Sequence, residues 1–330
     1  MSSYTRGKTL GEGTFGIVFE AFHSKNGNKV AIKRIKSSKN KVEGAVVTAL
    51  REIKHMQALK HPNVLHLYEA YTADECIHMV LEFCPIDLEN IINNKKLFLK
   101  EDQIRKYMEM TISGMKYCHD NFILHRDLKP SNLLIGLNGQ IRIADFGLAK
   151  SYPTSGNMTP TVVTIWYRAP ELLFGARHYS AAVDVWAIGC IFAELMIRRP
   201  IFQAMSDSNI EQLQKIFNVM GTPTENTWPN VKLLPQYVEF EKREPLSLVE
   251  LIVDKCRQSQ EAHDMLASFL LHDPRKRCTL TDALKLPYML KNIPPNLEMP
   301  HDVAIESAGG SSSSSSSKDD DQRDKKRIRR

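Results

Sequence analysis

Alternating apolar and polar positions near the N-terminus predict a small β-sheet. Two short runs, 17–22 and 29–35, are rich in β-branched and aromatic residues and have turn-forming residues between them, and two more strands are expected near 65–72 and 77–83. In the second run, the two-residue period of a strand places Ala31 and Lys33 on one face. A lysine on such a face is costly to bury unless a partner is present.

One helix is expected within this region, at roughly 45–60. Leu50, Ile53 and Met56 recur there at helical spacing and form the predicted apolar stripe. Glu52 lies off that stripe in this interpretation. The first part of the chain is therefore expected to be a sheet accompanied by a single helix.

Beyond Pro85 the apolar period becomes mostly helical. Two short strands are expected at 133–135 and 141–144. Helices are expected at 101–120, 181–197, 207–220, 248–254, 260–271 and 279–285. The helix at 181–197 is apolar on all sides and should be buried. These patterns predict an α+β protein.

The pattern divides the chain into three parts. We expect a smaller lobe at 1–84, a larger and mostly helical lobe at 85–300, and a disordered tail at 301–330. The tail contains seven consecutive serines, which cannot pack a core, and ends in the basic run KKRIRR.

Composition narrows the class of protein. The chain has 330 residues, of which 42% are hydrophobic and 25% charged, as in ordinary globular proteins. No stretch is typical of a membrane span or of a secretory segment, so an intracellular protein without membrane partners is expected. The six cysteines are far apart and are expected to be reduced. The net charge of +6 is too dispersed to predict direct nucleic-acid binding.

A glycine-rich segment, GEGTFGIV at 11–18, precedes the predicted strand that carries Lys33. Glycines allow a backbone to close over phosphates, although a glycine-rich hairpin turn is the simpler interpretation of this segment alone. A dinucleotide fold would need a helix directly after the glycines, and a strand follows instead. A buried Lys33 could be paired by an ATP phosphate and by the Glu52 carboxylate; a lysine at a sheet edge is the alternative.

Three further motifs lie downstream: HRDLKPSN at 125–132, DFG at 145–147 and APE at 169–171. Together with GEGTFGIV and VAIK at 30–33, they have the order and spacing of the protein-kinase signature, and the chain resembles that family. The resemblance implies a two-lobed eukaryotic protein kinase fold, with a small antiparallel-sheet N-lobe containing one helix and a mostly helical C-lobe. It also implies ATP and Mg²⁺ as cofactors.

The resemblance assigns roles residue by residue. Catalytic roles fall to Asp127, which would accept or orient the substrate hydroxyl, and to Lys129, Lys33 and Glu52. Asn132 and Asp145 would bind Mg²⁺. ATP would be bound by Leu10, Gly11, Glu12, Gly13, Thr14, Phe15, Gly16, Val18, Ala31, Lys33, Leu81, Glu82, Cys84, Asp87 and Leu134.

Other implied roles are structural or concern selectivity. Glu82 and Cys84 would offer backbone hydrogen bonds to adenine. Leu81 stands where cyclin-dependent kinases mostly have Phe and should enlarge the pocket behind adenine. Structural roles are implied for a core group (His125, Phe146, Met56 and Leu67), for the pair Glu171 and Arg277, and for Asp184, which would anchor the catalytic loop.

Three segments are similar to the cyclin-dependent kinases in particular: VVTALRE at 46–52, VVTIWYRAPELLFGAR at 162–177 and GTPTENTWP at 221–229. Within that family the chain is most similar to the branch that works with cyclin H in transcription factor IIH and activates other cyclin-dependent kinases. Met158, Thr159 and Pro160 depart from the usual pattern of that family, which keeps a cell-cycle member as the alternative.

The resemblance also implies regulation and substrate preference. Thr159 would be the activating phosphosite, and Arg51, Arg126 and Lys150 would bind its phosphate. Val163, Thr164 and Arg168 would line the substrate pocket and favour Ser-Pro or Thr-Pro sites, because proline has no N–H left without an acceptor.

The expected partners are a cyclin, of the cyclin H type, and protein substrates such as other cyclin-dependent kinases or the RNA polymerase II tail. An assembly factor is a further candidate. The run KKRIRR resembles a nuclear import signal, although a solvated charge run is an alternative, and we expect the nucleus, with the cytoplasm as a second location.

The sequence disfavours two other classes of function. A pseudokinase scaffold is disfavoured because Lys33, Glu52, Asp127, Asn132 and Asp145 are all present. A small-molecule metabolic enzyme is disfavoured by the order of the motifs and by the segment WYRAPE.

Overall fold

The computed structural model describes residues 3–13, 16–36, 43–151, 164–246 and 259–301. Its N-terminal part is a five-stranded antiparallel sheet with the strand order β1-β2-β3-β5-β4. The strands are β1 (Tyr4–Gly13), β2 (Gly16–His23), β3 (Lys29–Lys36), β4 (Leu67–Ala73) and β5 (Cys76–Glu82). The four predicted strands are confirmed to within about two residues, whereas β1 was not predicted, because glycine and charged residues hide its strand pattern.

The two faces of β3 enter different apolar clusters. Ala31 and Ile35 belong to the main core, whereas Val30 and Ile32 pack in a smaller cluster on the other side of the sheet. This alternation is the one predicted from the two-residue period. It places the Lys33 side chain on the face that also carries Ala31.

The helix α1 (Glu43–Ala58) lies beside this sheet, but its inward face differs from the prediction. Leu50 was expected on the apolar stripe and is 56% exposed. Glu52 was expected off the stripe and is only 3% exposed. It lies on the buried side of the helix, as does Met56. The helix is rotated relative to the prediction because the Glu52 carboxylate has an ion-pair partner inside, which the apolar period alone does not reveal.

The C-terminal part is mostly helical, as expected. Its longer helices are α2 (Leu88–Asn93), α3 (Glu101–Asp120), α5 (Ala182–Ile197), α6 (Asn209–Met220) and α7 (Gln260–Phe269). Shorter helices are α4 (Pro170–Leu173), α8 (Leu280–Ala283) and α9 (Pro287–Leu290). α5 is buried along nearly its whole length, which confirms the prediction from its apolar composition.

Short strands complete this part and shape the site: β6 (Ile86–Asp87), β7 (Ile123–Leu124), β8 (Leu133–Ile135), β9 (Ile141–Ile143) and β10 (Lys150–Ser151). The predicted helix at 248–254 lies outside the described residues. So does the predicted tail beyond His301, whose ring lies against Gly139. Within the described part of the chain, no helix is long and apolar enough to cross a membrane.

Candidate active site

A buried ion pair lies between the sheet and α1. Lys33 Nζ lies 2.8 Å from Glu52 Oε2 and 3.0 Å from Glu52 Oε1, which confirms the predicted pair. Burial by itself lowers the pKa of the Lys33 ammonium, but the carboxylates of Glu52 and Asp145 outweigh it and leave that pKa raised. Lys33 is therefore a fixed positive charge on the face of β3 that carries Ala31.

The catalytic-loop residues are brought together by hydrogen bonds within the loop. Asn132 Nδ2 donates to the backbone oxygen of Asp127 at 2.8 Å and to its carboxylate at 3.2 Å. Lys129 Nζ lies 3.3 Å from the same carboxylate. Burial raises the pKa of Asp127, and the nearby ammonium of Lys129 opposes that rise. The Asp127 carboxylate, with a raised pKa and the Lys129 ammonium beside it, is suited to accept the proton of a substrate hydroxyl.

Asp184, at the start of α5, anchors the backbone of the catalytic loop, as predicted. Its carboxylate accepts hydrogen bonds from the backbone N–H of His125 at 3.0 Å and of Arg126 at 2.8 Å. Arg126 has a φ of 68°, a left-handed conformation that a non-glycine residue keeps only when its surroundings fix it. His119, which sequence reasoning missed, lies 2.9 Å from the same carboxylate.

Asn132 and Asp145 fit the predicted metal role. The amide nitrogen of Asn132 is occupied by Asp127, which leaves its side-chain oxygen as a candidate ligand. Asp145 has a φ of 64°, and within the described residues its carboxylate forms no ion pair closer than 4.0 Å. No cluster of three His, Cys, Asp or Glu residues is found among the described residues. Two oxygen ligands completed by nucleotide phosphates and water are typical of Mg²⁺ rather than of an all-protein metal cage.

The glycine-rich segment is the turn between β1 and β2, where Gly13 pairs with Gly16. A Cβ atom at Gly16 would lie 2.0 Å from the backbone oxygen of Arg34, so only glycine fits there. Leu10, Gly11 and Glu12 lie on β1 of the same hairpin, whereas Thr14 and Phe15 lie outside the described residues.

Ala31, Leu81, Val18 and Leu134 contribute to the main core or pack against it. Ala31 lies opposite Leu81 in the β3–β5 register. Whether Leu81 enlarges the adenine pocket stays a prediction.

The segment after β5 contains the remaining residues predicted to bind ATP. Burial raises the pKa of the Cys84 thiol to about 12. Asp87 caps α2, because its Oδ1 accepts a hydrogen bond from Asn90 N at 2.8 Å. The sequence had indicated a nucleotide role for Asp87, and the structure adds this capping role. Glu82 accepts from Arg142, an interaction that sequence reasoning did not predict.

Two of the three cations predicted to bind the activating phosphate are held near each other. Arg51 donates to the backbone oxygen of Gly147 at 3.4 Å, and Arg126 donates to that of Leu148 at 2.6 Å. Lys150 follows closely on β10. Arg126 also donates to Tyr179 Oη at 2.7 Å, a contact that the motif gave no reason to expect. Thr159 lies outside the described residues.

The predicted substrate pocket borders the catalytic loop. A cavity of about 310 Å³ is lined in part by Asp127, Thr164 and Arg168. Val163 lies outside the described residues. Tyr167 also lines this cavity, and its Oη donates to the buried Glu194 at 2.7 Å; burial raises the pKa of Glu194 to about 7.

The segment that follows is fixed by the predicted pair of Glu171 and Arg277. Their two contacts are 2.6 and 2.7 Å long, and both side chains are almost inaccessible to water. The remaining donors of the Arg277 guanidinium go to the backbone oxygens of Leu271, Ala182 and His272. The pair therefore joins the segment that carries Arg168 to the core of the helical part.

Comparisons with known proteins agree with this geometry. A family model described as "Protein kinase domain" matches residues 4–289. The chain is 46% identical over 308 residues to cyclin-dependent kinase D-1 of Arabidopsis thaliana, which covers 92% of this chain and 76% of that protein. It is 43% identical over 293 residues to serine/threonine-protein kinase KIN28 of Saccharomyces cerevisiae, which covers 88% of this chain and 94% of that protein.

A solved structure of the CAK complex of Chaetomium thermophilum, bound to ATP-gamma-S, contains a chain of the same fold. The TM-score is 0.82 at 39% sequence identity, and the match covers 89% of this chain and 93% of that chain. The expected two-lobed kinase fold, with an antiparallel sheet and a helical second lobe, is thereby confirmed.

Proposed function

This chain belongs to the protein kinase family, and from that premise we propose that it is a cyclin-dependent serine/threonine kinase that activates other cyclin-dependent kinases. The observation that carries the proposal is the joint presence of the Lys33–Glu52 pair and the Asp127, Lys129 and Asn132 cluster. Similarity to kinases of that type over most of the chain supports the branch.

The residues divide the work of phosphoryl transfer, which depends mostly on positioning and on neutralising charge. Lys33, held by Glu52, binds the phosphates of ATP. Asp127 orients the hydroxyl of the substrate and accepts its proton, and Lys129 steadies the transferred phosphoryl group. Binding of ATP is supported by the ATP analogue bound in the related complex.

Mg²⁺ is the metal we propose for Asn132 and Asp145. Both offer hard oxygen ligands, and the metal supplies neutralisation of charge on the phosphates when it is bound. The protein's own contribution is to hold the Asp145 carboxylate near Lys33, where it raises the pKa of the Lys33 ammonium, and to keep the side-chain oxygen of Asn132 available.

A cyclin is the proposed partner, and its docking surface is the outer face of α1. Val47 and Leu50 are 53% and 56% exposed there, on the helix whose inner face carries Glu52. A partner that covers these apolar side chains would hold Glu52 against Lys33, which is a population shift toward the paired state. Cyclin H is the type we propose, by similarity to the related kinases.

The proposed substrates are the activation segments of other cyclin-dependent kinases and the repeated tail of RNA polymerase II. A preference for proline after the target residue is proposed from Val163 and Arg168. Arg168 lines the cavity beside Asp127, where a bound peptide would pass.

Thr159 is the proposed site of activating phosphorylation, with Arg51, Arg126 and Lys150 as its partners. A phosphate would give these cations a common counter-ion and order the segment around them. Mass spectrometry of the protein from its native cell tests this, and an unmodified Thr159 in active complexes would remove the idea.

The nucleus is the proposed location, on the strength of the basic run at 325–330. A fluorescent fusion with these residues replaced by serine and glycine should lose its nuclear enrichment. Unchanged enrichment would show that this run is not the signal.

The function is tested by giving the chain ATP and a protein substrate, with and without co-expressed cyclin H. The two substrates are an inactive cyclin-dependent kinase and an RNA polymerase II tail repeat. Asp145→Asn serves as the inactive control. Cyclin-dependent transfer to both supports the proposal. Transfer only with another cyclin, and only to a histone-type Ser-Pro peptide, would favour a cell-cycle kinase. Absence of phosphate transfer with every cyclin and substrate would favour the alternative that the chain is a pseudokinase scaffold.

A further inference from the structure

The side chain of Glu82 is clamped by an arginine from the larger lobe. Glu82 is the last residue of β5, and Arg142 lies in the middle of β9. Arg142 Nε lies 2.7 and 2.9 Å from the two carboxylate oxygens of Glu82. The side chains are only 12% and 22% exposed, so this pair is better shielded from water than an ordinary surface ion pair.

The same guanidinium reaches a third segment. Arg142 Nη1 donates to the backbone oxygen of Pro62, in the loop between α1 and β4, and to Gln140 Oε1 at 3.0 Å. Nε thus binds the end of β5, whereas Nη1 binds the loop after α1 and the start of the β9 region. A lysine ammonium could replace the contact to Glu82, but it could not span Glu82 and Pro62 in the same fixed plane.

Further hydrogen bonds around Arg142 connect the same three segments. Asn63 Nδ2 donates to the oxygen of Ile141 at 3.1 Å, and Ile143 N donates to the oxygen of Asn63 at 2.9 Å. Glu82 N in turn donates to His66 O at 2.9 Å. The end of β5, the loop after α1 and β9 therefore form one hydrogen-bonded unit with Arg142 at its centre.

This unit lies directly behind the segment expected to bind adenine. Side chains alternate along β5, so that Leu81 enters the main core while the Glu82 side chain points to the other side of the strand and meets Arg142. The backbone of Glu82 lies between these two sides. Fixing the carboxylate from behind thus fixes the backbone groups that adenine would use.

We propose that Arg142 is a positioning residue for nucleotide binding, which holds the Glu82 backbone in the orientation that accepts adenine. The inference rests on the proposed function, because it assumes that the cleft binds ATP. Arg142 does not touch the nucleotide in this account and acts only through Glu82. Its loss should therefore weaken nucleotide binding more than it slows phosphate transfer at saturating ATP.

The test compares matched variants of the full chain in complex with its cyclin. Arg142→Met removes the charge and keeps the length of the side chain, Arg142→Lys keeps the charge and loses the fork, and Glu82→Gln removes the partner. Arg275→Met is the control, because Arg275 also holds a carboxylate through two contacts of 2.9 Å, with Asp273, but in a remote part of the C-terminal lobe.

The measurements are the ADP dissociation constant by calorimetry, the KM for ATP and for peptide, and kcat. For Arg142→Met we expect the ADP dissociation constant and the KM for ATP to rise roughly three- to tenfold, since one charge-assisted interaction is lost and only part of it couples to binding. The peptide KM and kcat should change less than about twofold. The ADP dissociation constant of Arg142→Lys should lie between those of Arg142→Met and the unmodified chain, and that of Arg275→Met should equal that of the unmodified chain.

The pair is tested separately by combining variants. The double variant Arg142→Met with Glu82→Gln should bind ADP no more weakly than the weaker single variant, because both act on one contact. Hydrogen exchange of the amides at 82–86 should speed up in Arg142→Met and not in the control. If Arg142→Met does not fold, Glu82→Gln and Arg142→Lys carry the same comparison.

The inference is overturned if the Arg142 variants bind ADP as tightly as the unmodified chain, or if kcat falls while the dissociation constant stays unchanged. An unmodified complex that binds no nucleotide would instead overturn the proposed function, and this inference with it. Equal weakening by Arg275→Met would reduce the effect to general destabilisation and also overturn the inference.

Discussion

Replacing Arg277 by methionine should lower the free energy of unfolding by about 3–5 kcal/mol. In the structure all three guanidinium nitrogens donate: Nη1 and Nη2 each bind Glu171 and one backbone oxygen, and Nε binds a third backbone oxygen. The side chain of Arg277 is 0% exposed and that of Glu171 is 4% exposed. Methionine would fill most of the space, but it would leave a buried carboxylate without its donors and would remove one hydrogen bond from each of three carbonyl groups.

The assay is chemical unfolding followed by circular dichroism, with a thermal scan at one fixed heating rate as a second probe. A loss of about 3–5 kcal/mol corresponds to a fall in melting temperature of about 4–8 °C for a protein of this size. Arg243→Met is the matched control, because Arg243 and its partner Glu241 are 41% and 80% exposed, so losing that pair should cost less than about 1 kcal/mol.

A double variant separates the pair from the arginine alone. Glu171→Gln together with Arg277→Met should cost less than the sum of the two single changes, by up to about 3 kcal/mol, since the stranded carboxylate is then absent. The reasoning is refuted if Arg277→Met lowers the free energy of unfolding no more than Arg243→Met does, or if the costs of the two single changes simply add.

Three further predictions concern the site. Glu52→Gln should lower kcat/KM for ATP by about 100-fold while the protein stays folded, because Lys33 loses the carboxylate that positions it. Steady-state kinetics with the cyclin present measures this effect, and a kcat/KM within twofold of the unmodified value would contradict the prediction. The kcat/KM profile should fall on the acid side with an apparent pKa above the ordinary value for Asp, because Asp127 acts deprotonated and its folded pKa is raised, so that activity is lost as the pH falls through that raised value. Cys84, with a pKa of about 12, should react with iodoacetamide at neutral pH at least about 100-fold more slowly than free cysteine, and labelling at the rate of free cysteine in a peptide-mapping experiment would show that the thiol is not shielded.

The candidate catalytic residues were predictable from sequence because the motifs that carry them resemble the protein-kinase signature in residue type, order and spacing. Asp127, Asn132 and Asp145 lie in these motifs, and the structure brings Asp127 and Asn132 within hydrogen-bonding distance. The strand that carries Lys33 was predictable from its two-residue period. Motifs and strand periods of this kind depend on residues that are close together in sequence, so they can be recognised without the tertiary structure.

Contacts between distant segments were much less accessible from sequence. The rotation of α1, which buries Glu52 and exposes Leu50, follows from an ion pair with a strand that precedes it in the chain. The clamp of Arg142 on Glu82 joins residues 60 positions apart, and neither residue belongs to a motif that would reveal it. Such pairs depend on the tertiary fold, which periodicity does not encode.

The most direct test of the central claim is transfer of labelled γ-phosphate from ATP to a Thr-Pro peptide by the chain with its cyclin, measured beside the Asp127→Asn variant. The account predicts that the variant binds ADP as tightly as the unmodified complex, while kcat falls by at least about 100-fold, because Asp127 acts on the hydroxyl and not on the nucleotide. Equal kcat in the two proteins would contradict the assignment of this site as the place of catalysis.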